Sequence, residues 1–168
     1  MFMYFQFQIS GMTKNLISIS ALLLTLVACE SQGNKKDISN TDMVEYSFYP
    51  SSVAPQYYRG FRISVTPNTL HLAIHSYGDT LLKKDWSFTK EEFETVKQRV
   101  SNLKVEGSID KSKIPDGGST KEISLYQSGK KIFSGLDYGS TKNFSGADID
   151  LSYLVPDLNM LVESTKNQ

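Results

Sequence analysis

Cysteine is almost missing from this chain: Cys29 is the only one in 168 residues. A lone thiol closes no disulfide within the chain, so a folded domain must hold itself together by core burial, which a chain of this size can do. Histidine is nearly as scarce. His71 and His75 are the only two, and on a strand they share a face about 13 Å apart, too far to hold one ion together. With no third histidine and no spare cysteine, a zinc site is not expected. Net charge is absent as well, with 18 basic against 18 acidic residues. That balance argues against a nucleic-acid binder, which needs a clearly basic face. The longest mostly apolar run, Leu16 to Val27, has twelve residues, short of the about 20 that span a bilayer.

Catalytic signatures are also missing. There is no nucleophile elbow and no glycine-rich dinucleotide loop. The tetrapeptide Gly118-Ser-Thr-Lys121 recurs as Gly139-Ser-Thr-Lys142, but neither copy has the order of a phosphate-binding loop, so both are expected to be turns. Ser108 and Lys111 have the serine-x-x-lysine spacing of penicillin-recognising acyl enzymes, without the further Ser-Asp-Asn and Lys-Thr-Gly elements. Asp137, Asp148 and Asp150 make one loop acidic, yet the run of an EF-hand is not there. Asp148 or Asp150 is instead expected to cap the following helix.

What the chain does have begins with Lys14, the apolar run, Ala28 and Cys29, the layout of a secretory signal. Leu26-Val-Ala-Cys29 resembles the lipobox of bacterial lipoproteins, over about residues 12–29. The resemblance implies cleavage before Cys29 and lipid on its thiol, with a diacylglycerol and often a further acyl chain. Two or more chains hold a protein stably at a membrane, where one holds it only marginally. It implies a bacterial envelope location, at the outer membrane or cell surface, and says nothing of the domain behind it. Residues 1–11 are uncharged and aromatic-rich, unlike a usual signal start, so Met12 is the expected beginning. Removal of residues 1–28 takes away Lys14 and leaves 17 basic against 18 acidic residues. Residues 29–42 are rich in turn formers and predict a flexible tether; residues 43–168 predict one domain.

Within that domain, residues 43–49 alternate, with Val44, Tyr46 and Phe48 on one side, which predicts a half-buried strand stopped by Pro50. Strands are predicted over 57–65, 70–76 and 80–88, with turns at Thr66-Pro-Asn-Thr69 and Tyr77-Gly-Asp79. Thr89 and Glu92 have capping-box spacing. Phe93, Val96, Val100 and Leu103 then give an amphipathic helix over about 90–103. Residues 121–126 and 131–136 flank a hairpin turn. A final apolar stripe contains Pro156, placed as the first residue of a helix over 156–164. The whole is α+β: an antiparallel sheet of five or six strands with two helices packed on one face.

Tyr46, Phe48, Tyr49, Tyr57, Tyr58 and Phe61 crowd into sixteen residues. Tyr49, Tyr57 and Tyr58 flank a loop and are candidates for a contact surface, because exposed tyrosine buries large area with few rotors. The expected function is a membrane-anchored, non-enzymatic binding module of inhibitor, immunity or accessory type, with an envelope protein as partner and no cofactor. The alternatives are a small envelope hydrolase using the loop aspartates, His71 or His75, and a structural lipoprotein without a discrete site. A histidine hydrogen-bonded to an aspartate or serine inside a cleft would favour the hydrolase. For the anchor, Cys29→Ala is expected to release the protein from membranes or leave an uncleaved precursor. Lipid labelling at the normal level in that variant would overturn the assignment.

Overall fold

Seven residues from Met43 to Tyr49 form β1, and their alternation decides which way each side chain goes. Val44 and Tyr46 are buried on one side, with Phe48 partly so, while Glu45 and Tyr49 lie on the other. The computed structural model describes residues 38–51, 53–107, 117–139 and 141–166, all in a unit that spans Asn34–Gln168. Cys29, the signal segment, most of the tether and the Ser108–Lys111 spacing lie outside the described residues.

Three strands follow β1: β2 (Gly60–Val65), β3 (Thr69–Ser76) and β4 (Asp79–Ser87). Helix α1 (Lys90–Val100) and the two-residue β5 (Lys104–Val105) come next. Then come β6 (Thr120–Gln127), β7 (Lys130–Asp137), β8 (Phe144–Ser145), a 3₁₀ turn at Ser152–Leu154 and α2 (Leu158–Ser164). The main sheet has six strands in the order β4-β3-β2-β1-β6-β7, and every neighbouring pair is antiparallel. The α+β architecture is the one the sequence predicts. β5 and β8 pair as a separate two-stranded ribbon that the sequence pattern did not reveal.

Local chemistry sets the boundaries. Thr66 Oγ1 accepts from the Thr69 N–H at 3.1 Å and closes the β2–β3 turn. In the β6–β7 turn Ser128 and Gly129 both have positive φ, 51° and 72°, the backbone that suits a two-residue hairpin to strand twist. The capping box forms as expected. Glu92 N–H donates to Thr89 Oγ1 at 3.2 Å, and Thr89 N–H donates to Glu92 Oε2 at 2.8 Å. Helix α1 ends at Val100 rather than at 103, and Leu103 is buried beyond it in a turn. The second helix also starts later than predicted, at Leu158 rather than Pro156. Val155 is extended, as a residue before proline prefers, and Asp157 takes φ 54°, so the chain turns before it coils.

Val44, Tyr46, Ile63, Val65, Leu72 and Ile74 share one core with Phe93, Val96 and Val100 of α1 and with Leu158 of α2. Ile38 already packs against this core and Thr41 is buried, so ordered packing begins ahead of Met43. Among the described residues no helix is long and apolar enough to cross a membrane.

Arg59 fastens the end of the chain. It is 7% exposed, and all its hydrogen bonds among the described residues go to neutral oxygens. Nη2 donates to the Thr165 carbonyl at 2.8 Å, Nε to Thr165 Oγ1 at 3.1 Å, and Nη1 to the Tyr58 carbonyl at 2.7 Å. Thr165 is the C-cap of α2, so the guanidinium also meets the negative end of a helix. Arg59→Leu would strip these carbonyls of their donor inside the protein. It is expected to lower unfolding free energy by about 3 kcal/mol, against about 1 kcal/mol for the exposed cap variant Thr89→Ala. Urea denaturation of both variants checks this; equal losses would mean the buried guanidinium does no more than an ordinary cap.

Candidate functional site

Because each strand sends alternate residues to opposite faces, the sheet offers two surfaces of different chemistry. On the helix side, a groove of about 710 Å³ runs between the sheet and the C-terminal segment. Its floor is aromatic: the Phe48 and Phe61 rings stack at 5.3 Å between centroids. Its rim carries Tyr153 and Met160, which are 54% and 64% exposed. The Arg99 guanidinium lies 4.6 Å over the Tyr153 ring and braces it, a cation–π contact.

One end of this groove is polar. Lys121 Nζ lies 3.3 Å from Asp150 Oδ2, and the Ser152 N–H donates to Asp150 Oδ1 at 2.9 Å. Burial works against the charged Asp150 carboxylate, but the Ser152 and Lys121 hydrogen bonds outweigh it and hold Asp150 below the ordinary carboxylate range. The Tyr46 hydroxyl reaches the same carboxylate. Burial first, and then the charges of Asp150, Asp148 and Asp137, push the Tyr46 phenol well above its ordinary value. Tyr46 therefore stays a neutral donor to Asp150.

The other face of the sheet is mostly polar, and its order follows from register. One row across the strands reads Asp85, His71, Ser64, Glu45, Ser124, Ser134, from β4 to β7. The next row reads Lys83, Ala73, Arg62, Ser47, Glu122, Leu136. Glu122 Oε1 accepts from Lys131 Nζ at 3.0 Å, Ser124 Oγ at 3.0 Å and Ser134 Oγ at 2.9 Å. Burial opposes its charge, yet these three donors overcome that and keep Glu122 below the ordinary carboxylate range. Ser47 and Ser124 are buried on this face, under the longer side chains beside them in the rows.

At the β2–β4 end this face sinks into a depression of about 470 Å³. His71 Nδ1 meets Asp85 Oδ1 at its edge, with 36% and 65% of the two side chains exposed. Ser64 stands across from His71 in register, but its hydroxyl donates to Glu45 Oε2 at 3.4 Å. His75 lies over Gly60, where an added Cβ would come within 2.9 Å of its Nε2. Burial and the nearby Arg62 charge lower its pKa, so the ring is neutral at pH 7.

Of the three tyrosine candidates, Tyr49 and Tyr58 lie near each other. Tyr57 is 67% exposed. Tyr58 packs on the Tyr77 ring at 4.4 Å, and Tyr49 leans on His75 at 6.3 Å and accepts a hydrogen bond from Arg62. Two of the three thus have partners within the chain. The loop aspartates, which all act on the Tyr46 phenol, each have a cation of their own: Asp137 pairs with Lys142 at 3.1 Å, Asp148 with Arg99 at 3.4 Å, and Asp150 with Lys121. Neither Asp148 nor Asp150 is a helix cap: the cap positions are Leu151 for the 3₁₀ turn and Asp157 for α2, and Asp150 accepts from the Ser152 N–H two residues on. The first Gly-Ser-Thr-Lys copy runs into β6, and the second lies in the loop that the Asp137–Lys142 bridge closes. Sequence reasoning missed Tyr153 and Met160. Their signal was two apolar side chains off the Leu151–Leu154–Leu158–Leu161 stripe. No family model, no curated protein and no solved structure matches this chain.

Proposed function

We propose that the protein is a lipid-anchored envelope module that binds another protein without catalysis, receiving an apolar segment of it in the helix-side groove. The observation that carries this is the aromatic floor of Phe48 and Phe61 beneath a rim of exposed Tyr153 and Met160. Large side chains with few rotors, one already braced by Arg99, lose little entropy on binding and gain area. Lys121 and Asp150 at the groove's end satisfy each other, and Asp157, the other charged residue of the lining, is exposed and keeps its carboxylate in water. The lipobox resemblance at Cys29 supports the anchor and the envelope location.

A second reading, a small hydrolase, has its own support in the row Ser64, His71, Asp85. The histidine–aspartate pair at the edge of a depression is the arrangement that favours it. Against it, Ser64 sits in β2 between β1 and β3, where the backbone N–H groups are committed to the ladders and none is free for an oxyanion. A serine-directed fluorophosphonate is therefore expected to leave the protein unlabelled; labelling lost in Ser64→Ala would establish the hydrolase instead.

For the binding reading, affinity capture from membranes compares wild type with two double variants. Tyr153→Ala with Met160→Asp is expected to lower partner recovery at least tenfold, while Tyr57→Ala with Tyr58→Ala leaves it near the wild-type level. Recovery unchanged by the first pair would remove the groove as the binding surface.

A further inference from the structure

Beyond the groove, we infer that the depression on the opposite face is a site for a phosphoryl group carried by a small soluble ligand. Ala73 is its centre. Lys83 and Arg62 are its register partners on the two flanking strands, and His71 and His75 are its same-face neighbours along β3. Flanking strands put the two cations about 10 Å apart at the backbone, and the histidines stand about 7 Å to either side. Four nitrogen-bearing side chains thus surround a residue that contributes only a methyl group.

The acidic groups nearby are already engaged. Glu45, which also lines the depression, accepts from Ser64 at 3.4 Å and Tyr126 at 3.3 Å and lies 3.7 Å from Arg62 Nε. Asp85 is taken by His71 Nδ1. Lys83 has no ion-pair partner among the described residues, and Arg62 keeps 47% of its side chain exposed. The lining therefore carries an uncompensated positive charge with donors that arrive from different directions.

A planar carboxylate would satisfy one guanidinium edge. A tetrahedral dianion has oxygens to offer Arg62, Lys83 and an imidazole N–H together, with the charge-assisted bonds that make such contacts strong. A volume of about 470 Å³ leaves room for an organic group beyond the phosphate, over Gly78 and Thr80 at the open end.

Calorimetric titration of the full chain in a neutral detergent, with inorganic phosphate and with glycerol 3-phosphate, tests the site. Saturable binding is expected, at least tenfold tighter for either phosphate than for acetate. Arg62→Gln and Lys83→Gln are each expected to weaken it at least tenfold, and Ala73→Glu to abolish it. Lys130→Gln, at the start of β7, is expected to leave it unchanged. Unaltered melting temperatures of the Arg62 and Lys83 variants separate lost binding from lost folding. The proposal is overturned if no phosphate binds, if Lys130→Gln weakens binding as much as Lys83→Gln, or if anionic lipid vesicles bind while soluble phosphate neither binds nor competes.

Discussion

The pairing of β1 with β6 joins the two halves of this molecule. The strands β2, β3 and β4 follow β1 as a meander, and β6 and β7 form a hairpin about seventy residues further on. Seven register pairs from Met43–Tyr126 to Tyr49–Thr120 bring them into one sheet. β1 is thereby hydrogen-bonded along both edges, and its side chains sit at the middle of everything else. Tyr46 and Phe48 go into the aromatic groove, while Glu45 and Tyr49 support Arg62 on the opposite face. Long-range pairing of this kind is entropically expensive to close, and here it is compensated by burial of Val44, Tyr46, Ile123 and Leu125 on its core side.

Local patterns in the sequence were enough to find the strands, because alternation in one strand needs no knowledge of another. They were enough for the start of α1 too, since Thr89 and Glu92 cap each other across three residues. The β1–β6 partnership was beyond such patterns, because register between distant strands depends on how the whole core fills. The late start of α2 reflects a local competition: Pro156 permits a helix start, but its effect on Val155 and the turn at Asp157 delays the first coil by two residues. The β5–β8 ribbon has two residues in each strand, too few to show any period.

The same limit hid the surfaces of interest. His71 and His75 were visible as a pair on one strand face, yet the residues that matter around them, Arg62 and Lys83, come from two other strands. Ala73 lies between the two histidines on β3, and register sets it between Arg62 and Lys83. Arg59 fell inside the strand predicted over 57–65; the strand begins at Gly60, and proximity to Thr165, 106 positions away, gives Arg59 a structural role. The aromatic crowd was easy to see, but its division was not: Phe48 and Phe61 floor a groove, Tyr58 is spent on Tyr77, and Tyr57 alone is left to solvent.

Alternation also explains how one thin sheet carries two unlike surfaces. Glu45 and Arg62 on the open face have Val44, Tyr46, Phe61 and Ile63 as their neighbours one position away on the core side. Burial within the open face is handled separately, by hydrogen bonds such as the three donors on Glu122, which satisfy a carboxylate that would otherwise be costly to cover. The apolar groove relies on shape and area; Lys121 and Asp150 in its lining pair with each other, and Asp157 is exposed. An apolar guest in the groove and an anion over Ala73 would therefore draw on different side chains of the same strands. What they share is backbone: β1 and β2 supply Phe48 and Phe61 to one and Glu45 and Arg62 to the other. Coupling between the two surfaces would have to pass through the ladder that binds those strands, which is the most constrained part of the fold. Independence of the two surfaces is thus the arrangement that the architecture favours.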